Sequence, residues 1–296
     1  MSIATAIAAA QQKVANAYTA VSNKGGTLPA TQNLSNLPTA INSISGGVDT
    51  TGWIPKTVSS GVVSIVGSLP DFTGITEIGN YVYPYAYYNN SSISGSINFS
   101  NITTIGYYGC FHMFDGAYYI TSVNLNNLST IRDYGCDYMF YNCTRLASAS
   151  LSALTTISGY YGLAYAFGYC SNLTSANISI PNLTTISGGY GMYYTFRNCT
   201  NLTTFTFSKL SSIAVSNALN RCFYNCTSLT SLYFPKLTSS SFGSYTNQFY
   251  NMLYGVTGCT VHFPSNLQSV IGSWSDVTSK FGGTNCTVAF DLTATS

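Results

Sequence analysis

Charge is what this chain most lacks. Asp, Glu, Lys and Arg make up 6% of its 296 residues, against about 25% in ordinary soluble proteins. Its solvation therefore has to come from Ser, Thr, Asn and Gly. The ten basic residues are scattered and the formal charge is +2, which leaves no basic stripe to track a phosphate backbone and sets nucleic acid aside as a partner. No window approaches the roughly 18 uninterrupted apolar residues that a spanning helix needs, so membrane insertion is not expected. Histidine is nearly absent. His112 and His262 are the two present, and the eight dispersed acids offer no paired carboxylates, no Ser–His–Asp order and no metal-ligand spacing. His112 beside Asp115 is the nearest approach to a reactive pair, and a packed or surface histidine is the better reading of it. The glycine pairs lack the strand-to-helix setting of a phosphate loop. The expectation is a non-enzyme with no metal and no cofactor. A secretory signal is also missing from the pattern: the apolar run from Ile3 to Ala10 is followed, rather than preceded, by its nearest lysine, Lys13.

What the chain has instead is a repeat. Phenylalanine recurs at Phe114, Phe140, Phe167, Phe196, Phe223 and Phe249, with Tyr87 one period earlier, and isoleucine at Ile78, Ile105, Ile131, Ile157, Ile186 and Ile213. The spacings run from 26 to 29 residues, and seven units are countable. Self-similarity at this period signals a solenoid, in which no unit buries its apolar side alone and stacking creates one continuous core. The fold class expected is a repeat solenoid, leucine-rich-repeat-like, with a β-strand plus a helical or irregular segment per rung and a short α-helical N-terminal region.

Four segments follow from this register. Residues 1–47 read as helical: Ile3, Ile7, Ala10, Val14, Ala17 and Val21 are spaced 4, 3, 4, 3, 4 and fall on one face at the coiled-coil period. That seam could join chains into a homo-oligomer, a trimer among the options, or pack on a neighbouring helix of the same chain. Residues 48–68 read as a β cap and linker, 69–254 as the solenoid, and 255–296 as a C-terminal cap in which Cys259–Phe263 and Cys286–Phe290 are strands flanking a helix from about Ser265 to Phe281.

Inside the unit, the stretch between the Ile and Phe anchors is rich in tyrosine. Insertions that recur at one point of a repeat emerge on one face of the stack, and tyrosine offers a large rigid ring with a hydroxyl. Tyr107, Tyr108, Tyr134, Tyr160, Tyr161 and Tyr190 are thus the candidate ligand-binding residues, for polysaccharide above all; the alternative is that they half-bury themselves and cover the core. Cys143, Cys170, Cys199 and Cys226 share one repeat position, with Cys110 and Cys136 in a second column. In a reducing compartment such columns act as small apolar groups, although rungs about 5 Å apart leave oxidation geometrically open. The frequent Asn–x–Ser/Thr triplets follow the repeat and read as turn residues that satisfy backbone groups, not as glycosylation sites.

Two resemblances extend this reading. Phe196-Arg-Asn-Cys-Thr-Asn-Leu-Thr-Thr-Phe and Phe223-Tyr-Asn-Cys-Thr-Ser-Leu-Thr-Ser-Leu, with Ile180-Pro-Asn-Leu and Phe234-Pro-Lys-Leu, resemble the BspA-type leucine-rich repeats of bacterial surface proteins. The resemblance covers about 190 residues and implies an adhesive, ligand-binding solenoid. The segment from Lys13 to Ile44 resembles the amino-terminal part of tail-fibre-like structural proteins of phages and prophages of Gram-positive hosts. It implies a virion protein made in the host cytoplasm and exposed on the particle, a tail fibre or receptor-binding protein that contacts other virion proteins through residues 1–47 and a host cell-surface polysaccharide or protein through the solenoid. A head fibre or capsid decoration protein, a bacterial adhesin or interaction scaffold, and least of all a polysaccharide depolymerase are the alternatives.

Overall fold

The computed structural model describes residues 56–59, 62–65, 72, 74–244, 247–271 and 280–293. The chain divides into two units, Met1–Gly67 and Ser68–Ser296. In the first, β1 (Lys56–Ser59) and β2 (Val62–Ile65) pair as an antiparallel hairpin. The predicted N-terminal helices, with the seam Ile3, Ile7, Ala10, Val14, Ala17 and Val21, lie outside the described residues.

The second unit is a β-solenoid. Its longest face is built from eight strands, one per turn of the coil: β4 (Ser94–Asn98), β6 (Tyr119–Asn124), β8 (Ser148–Ser150), β10 (Ile178–Ser179), β12 (Thr204–Thr206), β13 (Ser231–Tyr233), β14 (Thr260–Pro264) and β15 (Thr287–Leu292). They pair in parallel as β4-β6-β8-β10 and β12-β13-β14-β15. The ladder is interrupted between β10 and β12, where Ser175 Oγ accepts from the Thr203 and Thr204 amides at 2.9 and 2.8 Å. β14 and β15 continue the same sheet, so the last two strands are further rungs of the stack. Of the helix expected from Ser265, the described residues show a 3-10 turn, Ser265–Leu267, running into one α-helical turn, Gln268–Ile271.

Each rung then turns a corner on a Leu–x–x–Leu β-turn. Leu128 N–H donates to Leu125 C=O at 3.0 Å and Leu183 N–H to Ile180 C=O at 3.3 Å, the latter with Pro181 at the position where its fixed φ suits the turn. A second face follows, made of two-residue strands, Glu-Ile in the first and Thr-Ile in the rest: β3 (Glu77–Ile78), β5 (Thr104–Ile105) and β7 (Thr130–Ile131) in one sheet, β9 (Thr156–Ile157) and β11 (Thr185–Ile186) in another. β-branched pairs suit so short a pleated ladder. Hydroxyls reinforce it, as where Thr103 Oγ1 and Thr184 Oγ1 each donate at 3.0 Å to a carbonyl of the preceding rung.

The third face corrects the expectation of a helical or irregular segment. Between the Ile anchor and the Cys position the backbone is a regular ribbon of consecutive β-turns. In one rung Tyr134, Cys136, Tyr138, Phe140 and Asn142 send their N–H groups to carbonyls of the next rung, while Gly135, Asp137, Met139, Tyr141 and Cys143 close i to i−3 turns at home. Every backbone donor of 134–143 is thereby used. The geometry requires a left-handed residue at every fourth position, here Tyr134, Tyr138 and Asn142 at φ 55, 55 and 58.

The core runs up the middle. Tyr87, Phe114, Phe140, Phe167, Phe196 and Phe223 form one column of near-parallel rings 5.3 to 5.9 Å apart. Phe249 does not continue it. The Phe223 amide donates to Met252 C=O, which places Leu253 after Phe223 and Phe249 in the column of Leu219, while Phe242 takes the place of the Ile anchor. All nine cysteines are buried free thiols. Those of the main column are more than apolar filler: Cys143, Cys170, Cys199 and Cys226 Sγ donate at 2.9 to 3.2 Å to the anchor Phe carbonyl one rung back. Burial pushes each of these thiols up in pKa and keeps the donating proton in place.

Candidate functional site

The β-turn face presents its left-handed residues outward, so the four-residue period of the turns becomes columns of side chains up the stack. In the first column Tyr81, Tyr108, Tyr134, Tyr161 and Tyr190 are stacked at 4.6 to 5.4 Å with interplanar angles of 1° to 11°. In the second, Tyr85, His112, Tyr138, Tyr165 and Tyr194 are stacked at 4.2 to 4.8 Å and 8° to 20°. Holding a non-glycine residue left-handed costs about 1–2 kcal/mol, and an aromatic pair returns about 0.5–1.5 kcal/mol. Stacking therefore offsets much of the backbone strain, and tyrosine can stand where glycine or asparagine is usual.

The glycines that bracket these tyrosines have a packing role. A Cβ on Gly191 would lie 2.7 Å from Ile186 Cγ2, and one on Gly109 3.0 Å from Ile105 Cγ2. At Gly109 and Gly191 the turn ribbon rests directly on the Ile anchor, with no room for a side chain between them.

Of the six tyrosines expected to bind ligand, Tyr108, Tyr134, Tyr161 and Tyr190 belong to the first stack. Both faces of each inner ring are covered by its neighbours, so they offer edges and hydroxyls rather than flat platforms. Burial, then neighbouring tyrosines, raise the pKa of Tyr108, Tyr134 and Tyr161, which keeps these phenols protonated and able to donate. Tyr107 and Tyr160 stand one position earlier and differ. Their ring contacts are all edge-on, at 70° to 86°, so no parallel partner uses up either ring, and Tyr160 is 41% exposed. Tyr107 lines a shallow groove of about 580 Å³ with Glu77, Asn80, Arg132, Asp133 and Ser158. Asn80 Oδ1 and Asp133 Oδ1 accept from the Tyr107 and Tyr160 amides, both at 2.8 Å, and fix the rim of that groove.

His112 Nδ1 lies 2.6 Å from Asp115 Oδ2, but its ring is clamped between Tyr85 and Tyr138 as one layer of the second stack. Beside it, Asp137 is 5% exposed and its Oδ1 has no hydrogen-bond partner. Burial raises its pKa to about 8. On the strand face His262 Nδ1 meets Asp291 Oδ2 at 2.8 Å and stacks on Tyr233 at 4.4 Å. Among the described residues no group of three or more His, Cys, Asp or Glu could hold a metal, and no helix is long and apolar enough to cross a membrane.

Sequence reasoning missed the second column, and with it Arg197 and Arg221. The signal available was the four-residue step itself, in Tyr134, Tyr138, Asn142 and again in Tyr161, Tyr165, Tyr169. The model of the BspA type leucine rich repeat region matches residues 76–190 and 163–274, in six copies. No curated protein matches the chain.

Proposed function

The chain belongs to the BspA-type leucine-rich repeat family, and from that premise we propose that it acts by binding, as an adhesin or interaction scaffold, and not by catalysis. The ligand is a surface polymer, a polysaccharide before a protein, lying along the β-turn face. The observation that carries this reading is the pairing of Tyr107 and Tyr160, two rungs apart and free of parallel ring partners, with the polar groove of Glu77, Asn80, Arg132 and Asp133. Flat rings for sugar faces and convergent polar groups for hydroxyls are the elements such recognition needs. Each contact contributes on the order of 1 kcal/mol, so useful affinity comes from repetition along the polymer.

The doubly substituted variant Tyr107→Ser, Tyr160→Ser tests this, because neither ring supports a stack. In a binding screen against purified bacterial and eukaryotic surface polysaccharides and matrix proteins, the wild type retains at least one ligand and the folded variant loses at least about tenfold in affinity. A wild type that retains none, or a variant that binds equally well, removes the proposal.

Residues 13–44, by their resemblance to phage structural proteins, support a narrower reading in which the N-terminal segment docks the chain on a particle and the solenoid projects from it, at a tail fibre before a head fibre. Mass spectrometry of purified particles that finds no such polypeptide ends that reading and leaves the binding solenoid untouched.

A further inference from the structure

Lower on the turn face, two guanidiniums share one tyrosine ring and meet no countercharge. Arg197 Cζ lies 5.3, 5.1 and 5.2 Å from the ring centres of Tyr169, Tyr194 and Tyr224. Arg221 Cζ lies 5.6 Å from those of Tyr194 and Tyr250, so the two cations share one ring. Among the described residues the ion pairs are His112 with Asp115 and His262 with Asp291, and neither arginine meets a carboxylate. The sequence supplies none to that stretch: from Tyr138 to Ser275 it carries Arg145, Arg197, Lys209, Arg221 and Lys236 and no Asp or Glu. Arg197 Nε is buried without an acceptor, and Arg221 gives one Nη1 bond, at 3.3 Å, to the Tyr193 hydroxyl.

Aromatic rings orient a guanidinium but do not neutralise it. Neither guanidinium meets a carboxylate, and an oxyanion reaching both would accept charge-assisted N–H bonds from donors that the protein leaves unpaired. We propose that Arg197 and Arg221 form a binding site for the phosphate or carboxylate groups of an acidic polysaccharide. The assignment rests on the reading of the solenoid as a binding protein and names the class of polymer it takes. Nucleic acid fits less well, because the basic residues are few and scattered and form no stripe along which a phosphate backbone could run.

Titration calorimetry of the full chain with dextran phosphate, polygalacturonate and unmodified dextran tests the site. Both acidic polymers are expected to bind and neutral dextran not to occupy the site, with affinity falling at least about tenfold as salt rises from about 50 to about 300 mM. The tighter of the two acidic polymers identifies the oxyanion. Arg197→Gln and Arg221→Gln each weaken binding by about fivefold or more, while Arg145→Gln, which removes the same charge beside Tyr119, changes it less than about twofold. Should Arg197→Gln fail to fold, the wild type still carries the test: acidic polymer raises its Tm, and Arg221→Gln loses the rise. Absence of binding by the wild type, an equal loss in Arg145→Gln, or tighter binding of a single-stranded oligonucleotide overturns the assignment. Acidic polymer bound normally by the Tyr107→Ser, Tyr160→Ser variant, when that variant keeps surface attachment as well, removes the groove and leaves the anion site standing.

Discussion

From Tyr81 to Tyr169 the turn face is laid with stacked tyrosines and carries Asp115, Asp133 and Asp137; from Arg197 downward the same ribbon carries Asn217, Asn220, Arg221 and Asn225. Both halves need a left-handed residue at every fourth position. The upper half meets that need with rings that stack across rungs, and the lower half increasingly with asparagine, which tolerates the conformation through its own short polar side chain. The fold thus prescribes a backbone geometry and leaves the chemistry of the surface open. The upper half offers aromatic edges and a polar groove, the lower half cations.

If the two halves share one core, equivalent core truncations should cost the same in each. Phe140 and Phe196 are both fully buried in the central column, and Phe140→Ala and Phe196→Ala are each expected to cost about 3–5 kcal/mol in denaturant unfolding. A large difference between them would mean that the column is not one cooperative core. A protein that unfolds in more than one step would show it too, since repeat arrays can lose cooperativity between neighbours.

The halves should separate in their response to pH. Asp137 ionises at about 8 in the fold, raised by burial from 3.8, so the folded state holds a proton that the unfolded chain releases near pH 4. Its contribution to stability is fully present below about pH 4 and is lost progressively as pH rises to about 8, with a slope of up to about 1.4 kcal/mol per pH unit. Asn220 stands at the equivalent position in the lower half, since His112 N–H donates to Asp137 C=O as Tyr194 N–H, further along the same column, donates to Asn220 C=O, and it does not titrate. Asp137→Asn is therefore expected to flatten the profile and to raise stability at pH 8. Urea unfolding measured at intervals from pH 4 to 8 checks this, and a profile unchanged by the substitution refutes it.

A smaller contrast lies where the ribbon rests on the Ile anchor. Gly191 admits no Cβ beside Ile186, and Gly191→Ala should cost about 1–3 kcal/mol by overpacking. One rung lower the same position is Ala218, fully buried, where Ala218→Gly should cost only about 0.4–1 kcal/mol, mainly through the unfolded chain. Equal costs would show that the two rungs approach their anchors alike.

How much of this was legible follows from which residues repeat. The Phe and Ile columns could be read because their spacing of 26 to 29 residues survives substitution almost everywhere. Where it does not, reading failed: Phe242 stands in for the isoleucine, and Phe249 then looked like the next anchor when it is the successor of Leu219. The turn ribbon was hidden for a physical reason. Left-handed residues are recognised by Gly and Asn, and a tyrosine held left-handed by stacking gives no local signal. All six candidate tyrosines lie on the turn face, but the stacking of Tyr108, Tyr134, Tyr161 and Tyr190 ring on ring depends on backbone geometry that spacing along the chain does not carry. Arg197 and Arg221 sit 24 residues apart in different columns, so no repeat alignment brings them together.

The finest way to sharpen the comparison is to give the upper half the residue that the lower half uses. Tyr165 is left-handed at φ 51 and stacks at 4.2 Å on Tyr138 and 4.8 Å on Tyr194. Tyr165→Leu loses the stack and keeps the strain, whereas Tyr165→Asn loses the stack and relieves much of the strain. The asparagine variant should therefore be the more stable of the two, by about 1 kcal/mol, even though leucine is the better match in apolar bulk. Thermal or urea unfolding of the pair resolves a difference of that size. If leucine proves the more stable, burial rather than backbone geometry sets the cost at this position, and the stacks are a consequence of packing instead of the device that lets tyrosine hold the turn.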